Sequence, residues 1–153
     1  MQNLRLIKFL TYAGALPFLA CALLPYAGIE RLGAVGRKEE ILVADILLSY
    51  GLAISSFLAG TLWASELRSP GRTGLPLLLV SNALLLVTWL TALAAPLGVA
   101  LLTQIAVFSA LLLADRQVFA AGGLDLDYWR LRQRITAIVL LALLLGLGQA
   151  WPE

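Results

Sequence analysis

Few residues in this chain are equipped for chemistry. The first to weigh are four polar groups set in long apolar stretches: Asp45, Tyr50, Asn82 and Gln104. A carboxylate inside a membrane-crossing helix is costly and is by default a candidate for handling protons or substrate. Asp45, however, follows Glu39 and Glu40 by about one turn and lies close to an expected helix N-terminus, where the dipole favours negative charge. It therefore has three readings: an interfacial carboxylate beside Lys38 or water, a proton or substrate group, or a partner contact. Asn82 and Gln104 each sit about seven residues from the start of an apolar stretch, near mid-membrane. Such amides commonly act as hydrogen-bond glue between helices, at about 0.6–2 kcal/mol. With Tyr50, Ser55 and Ser56 at similar depth, they are alternatively the lining of a small polar pocket. A second cluster, Asp115, Arg116, Tyr128, Arg130 and Arg132, lies in or beside the loop before the last apolar stretch. It reads either as a basic anchor meeting lipid phosphates or as a recognition patch for an anionic ligand or partner subunit.

Much chemistry is excluded. The chain has no histidine, which removes the commonest general base, metal ligand and haem ligand together. Its lone Cys21 has no second thiol for a disulfide or metal site and reads as a packed small hydrophobe. Leu16-Pro-Phe-Leu-Ala-Cys21 is loosely like a lipoprotein cleavage box, with Phe18 where an aliphatic residue is usual, and the N-terminus reads as a retained first helix. There is no Ser-His-Asp set, metal-ligand spacing, phosphate loop or nucleotide fingerprint. No inverted repeat suggests a transporter. Net charge is only +2 and the basic residues are scattered among loops, so nucleic acid is not an expected partner. The expectation is a non-enzymatic protein without cofactor or metal.

The elements that position these groups follow from hydropathy. Leu75 to Ala114 runs 40 residues without a charge, broken only by Ala95-Pro96-Leu97-Gly98. As one helix it would measure about 60 Å, twice the ~30 Å of a bilayer core, so two helices folded at the Pro-Gly corner are expected. Hydrophobic residues make up 61% of the chain and charged ones 13%, which fits lipid as the main solvent. Five spans emerge, at about 9–26, 41–65, 75–94, 97–114 and 135–151. The expected fold is all-α, a single domain of five transmembrane helices. Eight basic residues (Arg5, Lys8, Arg68, Arg72, Arg116, Arg130, Arg132, Arg134) fall on the N-terminal side and three (Arg31, Arg37, Lys38) on the other. This places the N-terminus in the cytoplasm and the C-terminus in the periplasm. Tyr12, Tyr26, Trp63, Trp89 and Trp151 lie near span ends, as interfacial aromatics do.

The second span has a face. Small residues recur every four positions along two ridges, Gly51-Ser55-Ala59 and Ser56-Gly60-Ala64. Between helices in lipid, small residues mark contact faces because they permit close backbone approach. This helix is therefore expected at the centre of the bundle, with Gly51, Ser55, Ser56, Ala59 and Gly60 packing against another helix or a partner protein. Beyond the bundle, Gly122-Gly123 should end one helix and Asp125 or Asp127 should cap the next.

Several motifs are also familiar in combination. Tyr12-Ala-Gly-Ala-Leu-Pro-Phe18, Tyr50-Gly51, Ser56-Phe57-Leu58-Ala59-Gly60 with Trp63, Asp115-Arg116, and Tyr128 with Arg130-Leu-Arg132 and Thr136 span nearly the whole chain. Together they resemble an uncharacterised bacterial inner-membrane family that includes the eukaryotic transmembrane protein sixty-nine. The resemblance implies a five-helix protein of bacterial or mitochondrial inner membranes and no established activity. Members often carry a histidine before the tryptophan of the second-helix motif, where this chain has Leu62, and a double glycine where it has Ala59-Gly60. That loss favours a structural role. The function expected is that of a scaffold or accessory subunit of a larger inner-membrane complex, with the lipid bilayer and other subunits as partners. The alternative is a binder or carrier of a small hydrophobic molecule, such as a quinone or lipid, within the bundle.

Overall fold

A computed structural model of the chain describes residues 2–33 and 40–150. Arg37, Lys38, Glu39 and Trp151, which entered the charge count and the span boundaries, lie outside the described residues. Five α-helices follow one another: α1 (Gln2–Leu23), α2 (Val43–Arg68), α3 (Leu77–Ala94), α4 (Leu97–Ala120) and α5 (Leu126–Ala150). A 3-10 turn and an antiparallel ribbon of β1 (Arg31–Gly33) and β2 (Glu40–Leu42), with Arg31 opposite Leu42, join α1 to α2. All five helices are long and apolar enough to cross a membrane, which marks a multi-pass membrane protein.

The helices overrun the apolar windows, most of all at the arginine-rich end. α4 continues to Ala120 rather than 114, and α5 begins at Leu126 rather than 135. Hydropathy measures hydrocarbon depth, whereas a helix runs on until its backbone is stopped. The stop after α4 is Gly122, at φ +74, whose N–H donates to the Phe119 carbonyl while the Gly123 N–H donates to Val118, each at 2.9 Å. This is a Schellman cap, in which a left-handed glycine lets the final carbonyls be satisfied. The Asp125 carbonyl accepts the Trp129 N–H at 2.9 Å, so Asp125 stands at the N-cap position just ahead of α5, as expected from the sequence. α3 and α4 are separated by Ala95 and Pro96 alone. Pro96 has no N–H to leave unpaired at a helix start, and its carbonyl accepts the Ala100 N–H at 3.0 Å.

The helices close a ring in the order α1–α2–α3–α4–α5, with α2 and α4 also in contact across it. The centre is thus shared. α2 touches all four other helices, α4 has the largest share of buried positions, and α3 is the least enclosed of the five. At mid-depth Phe18 of α1 is fully buried, meeting Tyr50 of α2 and Phe108 of α4 edge-on at 5.0 and 5.8 Å. The outer surface carries Phe57, Leu67, Leu79 and Leu93, each about 70% exposed, an apolar belt that hydrocarbon suits and water does not.

Candidate functional site

The polar groups of the helices do not converge on one pocket. Gln104 of α4 is fully buried and crosses to α2, its Nε2 donating to the Leu48 carbonyl at 2.7 Å. Gly51 lies directly beneath it: a Cβ there would come within 2.7 Å of the Gln104 Cδ. The glycine is what allows the amide to lie flat on α2, and Oε1, which has no conventional hydrogen-bond partner, rests over the Gly51 backbone. Tyr50 makes a different tie, its hydroxyl donating to the Gly14 carbonyl of α1 at 2.9 Å. Asn82 sits on the exposed side of α3 and donates to the Leu78 carbonyl of its own helix at 2.7 Å. Asp45 is exposed near the start of α2. The alternative reading, a polar pocket of Asp45, Tyr50, Asn82 and Gln104, is therefore not assembled, because the four residues face different neighbours. Gln104 joins two helices as an interhelical amide does, whereas Asn82 does not.

The two small-residue ridges of α2 part company. Gly51, Ser55 and Ala59 are buried, whereas Ser56 is half-buried and Gly60 and Ala64 are exposed. A Cβ at Gly60 would meet nothing within 4 Å. Ser55 and Ser56 both donate to the Leu52 carbonyl of their own helix, at 3.0 and 2.7 Å.

The cluster expected as a surface patch is split between inside and outside. Arg132 of α5 and Asp115 of α4 are each 6% exposed and pair with one another. Arg132 Nε lies 2.7 Å and Nη2 2.6 Å from the same Asp115 Oδ2. Arg116 and Arg130 are exposed and do not join them. The reason is helical phase: Asp115 falls on the α4 face that buries Leu111 and Val118, and Arg132 on the α5 face that buries Ile135 and Thr136. Tyr128 is half-buried one turn before Arg132, and Trp129 stacks on Phe119 at 5.5 Å.

Above this ion pair lies a crevice of about 380 Å³ among α1, α2, α4 and α5, reaching from mid-depth toward the arginine-rich end. Phe18, Ile54, Leu58 and Phe108 supply its apolar wall, and Tyr128, Arg132 and Thr136 its polar one. Leu10 of α1 and Phe57 of α2, 58% and 70% exposed, stand at its mouth. α1 is exposed throughout residues 5–10 beside this opening, and Gly14, which also lines the crevice, is tied to Tyr50 of α2. Sequence reasoning missed this site. The readable signal was the spacing Tyr128, Arg132, Thr136, which sets three polar groups on one side of an apolar helix. Among the described residues no group of three or more Cys, Asp or Glu side chains could hold a metal ion.

Residues 4–148 match the family described as protein of unknown function (DUF3429). The chain belongs to this family. No curated protein and no solved structure matches it. The match takes in all five helices, so both halves of the Asp115–Arg132 pair and every wall of the crevice fall within the family's extent.

Proposed function

We propose that the chain is a non-enzymatic protein of the bacterial inner membrane that holds a lipophilic small molecule in the crevice among α1, α2, α4 and α5. The N-terminus is cytoplasmic and the C-terminus periplasmic on the strength of the eight-to-three arginine and lysine imbalance. Kinship with the eukaryotic transmembrane protein sixty-nine belongs to the same proposal. The observation that carries the reading is the crevice: its volume of about 380 Å³ falls in the range of small-molecule sites, and it joins an apolar wall to a few polar groups. Its exposed mouth residues, Leu10 and Phe57, are apolar, so a guest dissolved in the bilayer would enter between them without crossing water.

A second reading, an accessory subunit of a larger complex, has one observation in its favour. The Ser56-Gly60-Ala64 ridge is a small-residue face largely left uncovered within this chain. One experiment separates the two: extraction of the wild type, Ile54→Trp and Gly60→Leu in mild detergent, with bound proteins and small molecules identified by mass spectrometry. Lipophilic material enriched on the wild type and lost from Ile54→Trp supports the crevice. Equal small-molecule content in both removes it. A protein partner released by Gly60→Leu supports the subunit reading.

A further inference from the structure

We propose that the guest presents an uncharged carbonyl acceptor to Tyr128, Arg132 and Thr136, with its hydrocarbon tail leaving between α1 and α2. This rests on the crevice reading and adds the chemistry of the buried end. The three side chains follow at i, i+4 and i+8 along α5 and all line the crevice. A guanidinium carries five N–H donors in a fixed fork. Arg132 spends donors of Nε and Nη2 on a single oxygen of Asp115, and its remaining N–H groups form no hydrogen bond with other described residues. Arg132 is buried as a residue, yet none of its nitrogens is both enclosed and unpartnered, so its spare N–H groups reach the open volume of the crevice that it lines. Thr136 is only 2% exposed, yet its hydroxyl does not return to a carbonyl of its own helix, as those of Thr88, Thr91 and Thr103 do. The crevice thus offers donors, in an otherwise apolar wall, to whatever enters it.

Charge decides the class of acceptor. Asp115 already neutralises Arg132. A carboxylate or phosphate entering here would be a second negative charge against one arginine, with its hydration stripped. A carbonyl oxygen satisfies the same donors without carrying a charge into the crevice. Two sources share this chemistry: a quinone with an alkyl or isoprenoid tail, and the ester groups of a neutral acylglycerol.

The test uses the full-length protein in detergent and three probes: a benzoquinone with a ten-carbon tail, dioctanoylglycerol, and dodecanoate as the anionic control. Binding is followed by calorimetric titration and by the shift in thermal unfolding. The expected result is saturable binding of a carbonyl probe to the wild type, with dodecanoate much weaker. Binding should be abolished in Ile54→Trp and weakened about tenfold in Tyr128→Phe/Thr136→Val, the equivalent of two neutral hydrogen bonds. The ratio of the quinone to the acylglycerol affinity names the source. Should the paired variant unfold, Thr136→Val alone, isosteric in the core, carries the same comparison with a smaller loss. Dodecanoate binding as tightly as the carbonyl probes, and lost in Ile54→Trp, overturns the headgroup assignment but leaves crevice occupancy standing. So does a hydroxyl-free variant that binds the carbonyl probes undiminished. No binding of any probe to the wild type, or equal binding to Ile54→Trp, removes both.

Discussion

Replacing Gly51 with alanine sets two effects of known size against each other. In an ordinary helix the change is favourable by about 0.8–1 kcal/mol, because glycine has more backbone freedom to lose. Here the new methyl carbon would lie 2.7 Å from the Gln104 Cδ, whereas carbon atoms settle at about 3.5–4.0 Å. Gln104 must then swing away or α2 and α4 must separate. The first loses the bond to the Leu48 carbonyl, worth about 0.6–1.7 kcal/mol between membrane helices. It also strands a buried amide, at about 1–3 kcal/mol. The second costs about 1–3 kcal/mol as overpacking. The cheaper route sets the cost, and with the helix-propensity gain subtracted Gly51→Ala should be less stable by roughly 0.5–2 kcal/mol. Gln104→Ala alone loses the bond and leaves a void that an alanine at position 51 would partly fill. The double variant should therefore be more stable than the sum of the singles implies, by about 1 kcal/mol or more. Reversible unfolding in mixed micelles, titrated with a denaturing detergent and followed by helicity, measures all four proteins. A Gly51→Ala protein as stable as the wild type would refute the reasoning, as would singles that add within about 0.3 kcal/mol.

Other perturbations read other parts of the bundle. Asp115→Ala leaves Arg132 buried and unpaired and should cost about 3–5 kcal/mol in the same unfolding assay, while Asp115→Leu/Arg132→Met should recover most of that loss. Tyr50→Phe keeps the ring against Phe18 but removes the hydroxyl bond to Gly14; a loss of about 0.6–1.7 kcal/mol is expected, with faster proteolysis of the α1 end. Gly122→Ala forces a side chain into the left-handed region and should destabilise by about 1–2 kcal/mol, seen as a lower unfolding midpoint. Gly60→Leu meets open space and should change the stability of the isolated protein by less than about 0.5 kcal/mol.

The five helices were legible because the chain spells them in bulk: a 40-residue uncharged run broken at Ala95-Pro96 has few other ways to fold. Their ends were legible from stop signals rather than from hydropathy: apolar windows close where charges begin, whereas Gly122-Gly123 and Asp125 mark where α4 stops and α5 starts. Asp115 and Arg132 lie on helices beyond the apolar windows, where phase rather than proximity in sequence decides what they meet. Asn82 and Gln104 illustrate the same limit. They are alike in chemistry and expected depth, yet one faces outward and the other lies on Gly51. A helix apolar on every side gives its amide no readable direction. The two ridges of α2 were equally small in sequence, and only the position of α4 makes one of them internal.

The pairing of Asp115 with Arg132 also bears on how the nascent polypeptide reaches its final form. The arginine is made 17 residues after the aspartate. A hairpin of α3 and α4 entering the bilayer as it is synthesised therefore carries a carboxylate whose partner has not yet arrived. Until α5 docks, that acid must stay at the lipid headgroups or in the shelter of the insertion machinery. Docking of the last helix is thus what gives the acid its partner, and a chain truncated before Arg132 should be more readily degraded than the full-length protein.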